Sequence, residues 1–277
     1  MNKVLEKILS TKTSSELWLE GKKIVPEFSA LQTPTRQTIT AVDGGSAAIL
    51  ETTAMQVLFV RIVAVQLEPR KISKKEGFIV ASVQENAKIQ VQFITEEQER
   101  TLFTTQEQEL SEVAGIGRKL LEWELVDSSE GVVVWDGSFT TKYDFEEPYV
   151  PEGIALAKSS TAIGSWKVFS HSPKAPWAAK ANKLCFIKLS EQGRVFRAEN
   201  KSEISNHEAF ASLVPWAQDP VFLGYPYPLI LADQLARVSN DERSALRIRL
   251  KATAGSRWEE VSQGIQDAHD ILDKIQY

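Results

Sequence analysis

The chain has 277 residues, of which 43% are apolar and 25% charged, and its formal net charge is −5. This composition is typical of a globular protein and excludes collagen-like, coiled-coil and wholly disordered architectures. The acidic balance argues against a surface coated with phosphate-binding charge, although a local basic patch stays compatible with nucleic acid.

Cysteine and histidine are too sparse for a disulfide framework or a zinc site. Cys185 is the single cysteine, and His171, His207 and His269 lie far apart in the sequence. The longest apolar stretch, residues 54–67, is too short and too polar to span a membrane. The N-terminus lacks the apolar core of a signal peptide, so we expect a cytoplasmic protein.

The first half of the chain predicts strands around one helix. Short helices are expected over residues 3–9 and 14–20. Apolar runs predict strands at Ile39–Val42, 54–67, Phe78–Ser82 and Lys88–Ile94, with Lys71, Lys74 and Lys75 flanking a turn that ends at Gly77. Apolar residues at helical spacing predict a helix over 106–125, and Val132–Trp135 reads as a buried strand. This order indicates an α/β fold with a mixed sheet.

The second half continues the same pattern. Strands are expected near Leu184–Leu189 and Arg194–Ala198. Pro228 suits the first turn of a helix that runs through Ala236, and a final helix is expected over Val261–Ile275.

Two apolar strands each lead into an Asp-Gly pair, at Asp43-Gly44-Gly45-Ser46 and at Asp136-Gly137-Ser138. Ligands of α/β sheets bind at the carboxyl ends of strands, so neighbouring strands would bring Asp43 and Asp136 together. Two close carboxylates attract a divalent cation, and oxygen ligands favour Mg²⁺ or Mn²⁺. The alternative is that Asp-Gly marks only a turn.

The helix between these strands offers a third carboxylate. Glu112 shares the apolar face with Val113 and Ile116, so we expect it to point toward the sheet. Glu109 lies one turn earlier on that face, whereas Glu122 comes late in the helix and is expected at the opposite end. Both remain alternatives for the third ligand.

Four further residues carry possible chemistry. Lys158 is either a phosphate contact or a solvated lysine. Tyr225 and Tyr227 are either structural or stack on a nucleobase. Asp233, early in its helix, is either a ligand or an ordinary acidic residue near a helix N-terminus.

Together these stretches resemble the NurA family of DNA-repair nucleases. They are AVDGGSAA (41–48), VVVWDGSF (132–139), ALAKSS (155–160) and GYPYPLILADQLA (224–236), in the family's order. The resemblance implies an RNase H-like mixed sheet flanked by helices, with N- and C-terminal helical additions. It implies one nuclease domain over 1–277, with its core at about 35–240 and a helical extension at 241–277.

The resemblance also implies an activity and partners. Family members are Mn²⁺-dependent nucleases that degrade DNA 5′ to 3′ and cut single strands. They form dimers and dock on the hexameric HerA ATPase to resect DNA ends for recombination repair.

By position in the family motifs, Asp43, Asp136 and an acidic residue of the helix, Glu112, are metal ligands. Lys158 and Tyr225 match the family's lysine and tyrosine. Asp233 stands where the family usually has histidine, and an aspartate oxygen can also bind Mg²⁺ or Mn²⁺. An acidic ligand there would hold metal better at low pH than a histidine, which protonates.

We therefore expect two-metal phosphodiester hydrolysis at Asp43, Glu112, Asp136 and Asp233, with Mn²⁺ or Mg²⁺ as cofactor. DNA contacts are expected from Lys71, Lys74, Lys75 and Lys158, and DNA binding should weaken with salt.

Two other classes of function fit parts of the pattern. An actin-like ATPase or sugar kinase also has acidic glycine turns, but the late glycine-rich adenosine loop is missing from this sequence. An inactive nuclease-fold subunit that docks on the ATPase would explain Asp233. The two carboxylates Asp43 and Asp136 argue against it, because an inactive site has no electrostatic reason to hold two carboxylates close together.

Overall fold

The computed structural model describes residues 17–19, 22–32, 34, 37–106, 109–157, 173–181, 184–258 and 260. The chain divides into two compact units. The first unit comprises Met1–Ile39, Gly131–Thr140 and Glu152–Ile230, and the second comprises Thr40–Glu130, Thr141–Pro151 and Leu231–Tyr277. The single nuclease domain over 1–277 stays a prediction.

Strands make up much of the described chain. In chain order they are β1 (Leu17–Leu19), β2 (Lys22–Ile24), β3 (Glu27–Ala30), β4 (Ile39–Glu51), β5 (Met55–Leu67), β6 (Lys71–Val83), β7 (Ile89–Ile94), β8 (Glu99–Thr105), β9 (Val132–Asp136), β10 (Ile154–Ala157), β11 (Trp177–Ala181), β12 (Leu184–Lys188) and β13 (Phe196–Asn200). The helices are α1 (Leu110–Asp127), α2 (Asn206–Leu213), α3 (Tyr227–Ala236) and α4 (Asn240–Ala254).

The first unit contains strands paired in the order β3-β11-β12-β13-β10-β9. β9 and β10 are parallel, and the other neighbouring pairs are antiparallel, so the sheet is mixed as predicted. Trp177, Ala179 and Phe186 form a core cluster of this unit. Helix α2 begins where the Ser205 side chain accepts a hydrogen bond from the Glu208 amide, a typical N-cap.

The second unit pairs its strands in the order β4-β5-β6-β7-β8, and β5 to β8 are antiparallel. Strand β5 is a nearly continuous apolar run, typical of a central strand covered on both faces. Helix α1 packs across β5, β6 and β7. Gly117 lets this helix approach the sheet, because a β-carbon there would stand 3.0 Å from Cγ1 of Val91.

Several predicted elements are confirmed. The strand at Val132–Trp135 is β9, and the helix that starts near Pro228 is α3. Helix α4 overlaps the predicted extension at 241–277, whose bounds stay a prediction. Helix α1 begins at Leu110, later than the predicted start. The helices predicted over 3–9 and 261–275 lie outside the described residues.

Three local predictions are wrong. Residues 17–19, predicted as helix, form strand β1. The turn predicted to end at Gly77 is instead the middle of β6, and the chain reverses at residues 68–70, where Pro69 interrupts the pairing. Strand β4 does not end at Asp43 but continues through both glycines to Glu51, because each glycine accommodates a close neighbour rather than a turn.

Candidate active site

Asp43 lies inside strand β4, half-buried, between the core residue Val42 and two glycines. Its Oδ1 accepts a hydrogen bond of 2.7 Å from the Gly44 amide. Since successive positions of a strand face opposite sides, Asp43 and Gly45 share one face of β4 and Gly44 faces the other.

The two glycines let different elements approach the two faces of β4. A β-carbon on Gly44 would stand 2.8 Å from Cδ1 of Ile62 and would overlap the Glu122 carboxylate. A β-carbon on Gly45 would stand 2.8 Å from the carbonyl carbon of Ala236, the last residue of α3. Helix α1 therefore meets β4 on the Gly44 side and the end of α3 meets it on the Gly45 side.

Glu122 of helix α1 supplies the carboxylate beside Gly44. Its side chain is only 4% exposed, and its Oε1 lies 3.5 Å from Nε of Arg118, one helical turn earlier. Arg118 also donates a hydrogen bond of 2.6 Å from Nη1 to the Gly44 carbonyl. Glu122 and Arg118 thus form a charge pair against the residue that follows Asp43.

Glu112, expected as the third ligand, makes a different set of contacts. Its Oε1 accepts hydrogen bonds from Lys142 and, at 3.0 Å, from the Tyr143 hydroxyl. The hydrogen bond from Lys142, followed by that from Tyr143, lowers the pKa of Glu112. In this structure Glu112 joins the start of α1 to the loop after β9, whereas Glu122 is the helix carboxylate that adjoins Gly44.

Asp233 is on helix α3, one turn before Ala236, the residue that abuts Gly45. Its Oδ2 lies 3.8 Å from a guanidinium nitrogen of Arg237. The helix end that carries Asp233 therefore packs on the face of β4 to which the Asp43 side chain belongs.

Arg61 of β5 fixes the junction between α3 and α4. Its guanidinium donates a hydrogen bond of 2.9 Å to the Arg237 carbonyl and forms ion pairs with Glu76 and Glu242. The hydrogen bond to Glu242 raises the pKa of Arg61 against the effect of burial. The junction that follows Asp233 is thereby anchored to the strands of the second unit.

Asp136 ends strand β9 in the first unit, opposite Leu156 of β10. The Gly137 amide donates a hydrogen bond of 3.0 Å to the Leu156 carbonyl. A β-carbon on Gly137 would stand 2.5 Å from the Trp135 ring. Glu199 holds the following turn, accepting 2.6 Å from the Ser138 hydroxyl and 3.0 Å from the Phe139 amide. The predicted strand-to-turn transition at Asp136 is confirmed, and its ligand role stays a prediction.

The remaining candidate residues differ in their surroundings. Tyr225 is buried, with its ring centre 5.4 Å from that of Phe196. Lys74 pairs with Glu76 at 2.6 Å, Lys75 pairs with Glu124 at 2.8 Å, and Lys71 is exposed. Lys158 lies outside the described residues. The roles of these residues in catalysis and DNA binding stay predictions.

The donor set near Asp43 suits a hard divalent cation, because Asp43, Glu122 and Asp233 offer carboxylate oxygens. Gly44 and Gly45 allow helix α1 and the end of helix α3 to pack closely against β4. Within the described residues, however, no group of three or more His, Cys, Asp or Glu side chains is arranged to hold a metal.

The same residues contain no helix long and apolar enough to cross a membrane.

Sequence reasoning missed Arg118 and Glu199. The spacing of Arg118 and Glu122, one helical turn apart, was a usable signal, because such pairs lie on one helix face. Glu199 gave no signal, since its contacts with Ser138 and Phe139 join distant parts of the chain.

Residues 180–238 match the family model of the NurA domain. No curated protein matches the chain. Among solved structures, the NurA nuclease of Sulfolobus solfataricus is similar with a TM-score of 0.52 and 14% identity, over 82% of this chain and 87% of that chain. The match shows that the chain has an RNase H-like mixed α/β fold.

Two further solved structures are less similar to the chain. Endonuclease V of Streptomyces avermitilis has a TM-score of 0.41 and 14% identity, over 82% of this chain and 86% of that chain. A NurA structure with manganese has a TM-score of 0.38 and 9% identity, over 81% of this chain and 91% of that chain.

Proposed function

We propose that this chain is a NurA-family protein and a metal-dependent deoxyribonuclease, on the match of residues 180–238 to the NurA domain and the shared fold. The observation that carries the proposal is that β4, α1 and α3, each with one acidic candidate, come together around Gly44 and Gly45. Asp43 accepts a hydrogen bond from the Gly44 amide, Glu122 occupies the space that a β-carbon on Gly44 would need, and α3, which carries Asp233, ends against Gly45.

We assign metal binding to Asp43, Glu122 and Asp233, with Asp136 included on the sequence pattern alone. Mn²⁺ or Mg²⁺ would activate water and offset the negative charge that develops on the phosphate. The Gly44 amide orients the Asp43 carboxylate, and Arg118 lies beside that of Glu122. This assignment replaces Glu112 with Glu122 as the helix ligand, because Lys142 and Tyr143 already engage Glu112.

The substrate and partners follow the family resemblance. We propose 5′-to-3′ exonuclease activity on single- and double-stranded DNA, with endonuclease activity on single strands, in the resection of double-strand breaks. We further propose that the protein is a homodimer that docks on a HerA-type hexameric ATPase. Lys71, which is exposed, and Lys158 are proposed phosphate contacts.

The test is cleavage of 5′-labelled single- and double-stranded DNA with Mn²⁺, Mg²⁺ or EDTA. We expect metal-dependent cleavage that falls on the order of 100-fold in Asp43→Asn and in Glu122→Gln. Glu112→Gln is the matched control, because it removes one charge from the same helix, and we expect it to retain most of the activity.

Loss of cleavage in Glu112→Gln with retention in Glu122→Gln would reverse the ligand assignment. Absence of cleavage by the wild type under every metal, both alone and with the ATPase, would refute the nuclease proposal.

The alternative is an inactive nuclease-fold subunit that only docks on the ATPase. It is favoured by one observation, the absence of a grouped set of three metal-binding side chains among the described residues. Measured binding of Mn²⁺ by the wild type, and its loss in Asp43→Asn, would reject this alternative.

A further inference from the structure

We propose that Arg118 is the resident cation of the site around Gly44, where it opposes metal binding and takes a phosphate of bound DNA. The inference rests on the proposed function, because it assigns Arg118 a role toward the same carboxylate, Glu122. It goes further in naming a residue that neither the sequence motifs nor the family match identifies.

The position of Arg118 is fixed by two contacts of different kinds. Nη1 donates a hydrogen bond of 2.6 Å to the Gly44 carbonyl, and Nε lies 3.5 Å from the Glu122 carboxylate. The guanidinium is therefore held against β4 and against Glu122 at once. A side chain held this way loses little further freedom when it binds a third group.

The charge of Arg118 competes with a metal ion. A cation bound by the Glu122 carboxylate would stand next to a guanidinium, and like charges in a partly buried site repel strongly. The competing structural effect is the loss of the ion-pair contact, 3.5 Å between Nε and the Glu122 carboxylate, that helps to orient Glu122. We expect the removal of the charge to outweigh it, because the repulsion acts directly on the bound cation. Removing the charge should therefore strengthen metal binding.

Arg118 also has N–H groups with which it can bind an anion. Arginine carries five N–H donors in a planar fork, and the contacts with described residues use Nη1 and Nε. The side chain is 36% exposed, so solvent and ligands reach it. A phosphate oxygen is the anion that this fork suits, and on a nuclease the phosphate comes from the DNA backbone.

The variants are Arg118→Met, which removes the charge and keeps the length, and Arg118→Lys, which keeps the charge. Lys88→Met is the control, since Lys88 is an exposed lysine in the loop before β7. Mn²⁺ affinity is measured by calorimetry on the full chain without DNA. Affinity for single-stranded DNA is measured by fluorescence anisotropy in EDTA, as a function of salt.

We expect Arg118→Met to bind Mn²⁺ about tenfold more tightly than the wild type, and Arg118→Lys to bind it like the wild type. We expect Arg118→Met to bind DNA about three- to tenfold more weakly, with a salt slope smaller by about one. Lys88→Met should change neither affinity for Mn²⁺ nor affinity for DNA by more than twofold.

A purely structural role predicts the opposite sign for the metal, because a loosened Glu122 would bind Mn²⁺ more weakly. Unchanged or weaker Mn²⁺ binding in Arg118→Met overturns the inference and leaves the nuclease proposal intact. If the wild type binds no Mn²⁺, the proposed metal site fails. In that case, weaker DNA binding by Arg118→Met in EDTA would still support the phosphate contact of Arg118. Unchanged DNA binding would refute it.

Discussion

Gly44 and Gly45 are adjacent in the sequence but face different kinds of neighbour. The neighbours of Gly44 are side-chain atoms, the carboxylate of Glu122 and the methyl group of Ile62. The neighbour of Gly45 is the backbone carbonyl of Ala236. Side chains can change rotamer, whereas a helix carbonyl moves only with its helix, so the two positions should respond differently to an added methyl group.

We predict that Gly45→Ala lowers the free energy of unfolding by about 2–3 kcal/mol, because the end of α3 must move. Gly44→Ala should cost less, about 1–2 kcal/mol, but it should weaken Mn²⁺ binding by displacing Glu122. Urea unfolding and calorimetric Mn²⁺ titration of both variants check this pair of effects.

Gly115→Ala is the control for these substitutions. It lies in helix α1 with no atom within 4 Å of an added β-carbon among the described residues. We expect it to stabilise the protein by about 0.5–1 kcal/mol, since alanine favours a helix over glycine. A Gly45→Ala variant as stable as the wild type would contradict the close packing of α3 on β4.

At the scale of elements, the α3–α4 junction depends on Arg61. This side chain is 12% exposed, and its partners are two carboxylates and one carbonyl on three different segments. Helix α4 has no buried residue, so its apolar contacts contribute little to holding it in place. Helix α4 is fastened mainly by polar contacts at its first turns, of which the Arg61–Glu242 pair is one.

We predict that Arg61→Met lowers the free energy of unfolding by about 2 kcal/mol, because it leaves Glu76 and Glu242 without their shared cation. It should also reduce DNA cleavage, since Asp233 precedes the loosened junction. Arg249→Met on α4 is the control, because Arg249 is 78% exposed and lies 3.9 Å from Glu96. We expect the control to change stability by less than about 0.5 kcal/mol. Equal losses in the two variants would contradict a special role of Arg61.

At the scale of the molecule, ion pairs set the response to acid. Burial raises the pKa of Glu76 and Glu124, but hydrogen bonds from neighbouring lysine and arginine side chains outweigh it and lower both values below 4.5. A carboxyl whose folded-state pKa is lowered contributes stability above its unfolded pKa. That contribution is lost as the pH falls through the folded-state pKa.

We therefore predict that the free energy of unfolding falls as the pH drops below about 4.5, and that these two carboxyls do not change it between pH 6 and 7. Glu76→Gln with Glu124→Gln should lower stability at pH 7 and flatten its decline in acid. Urea unfolding at a series of pH values checks both effects. A variant with the wild-type slope would show that the acid response originates elsewhere.

The sequence predicted what depends on local pattern and missed what depends on distant contacts. The strand before Asp136 follows from four consecutive apolar residues, and α3 follows from Pro228. The Asp-Gly-Gly segment was misread because its glycines serve packing between elements rather than a turn.

The helix carboxylate shows the same limit within the candidate site. The apolar stripe correctly identified the buried side of α1. It did not specify which turn of α1 meets β4, because that depends on how the helix lies across the sheet. Glu112 and Glu122 were both visible in the sequence. The contacts of Glu112 with Lys142 and Tyr143, and the packing of Glu122 against Gly44, distinguish them in the structure.

The packing of Ala236 against Gly45 also has a consequence for synthesis on the ribosome. Roughly 190 residues separate Asp43 from Asp233, so the strand emerges long before the helix that covers it. At about 5–20 residues per second, the interval is on the order of 10–40 s. A nascent chain therefore carries the first acidic residue without the segment that completes its surroundings. On the proposed function, a prematurely terminated chain would leave the host genome uncut.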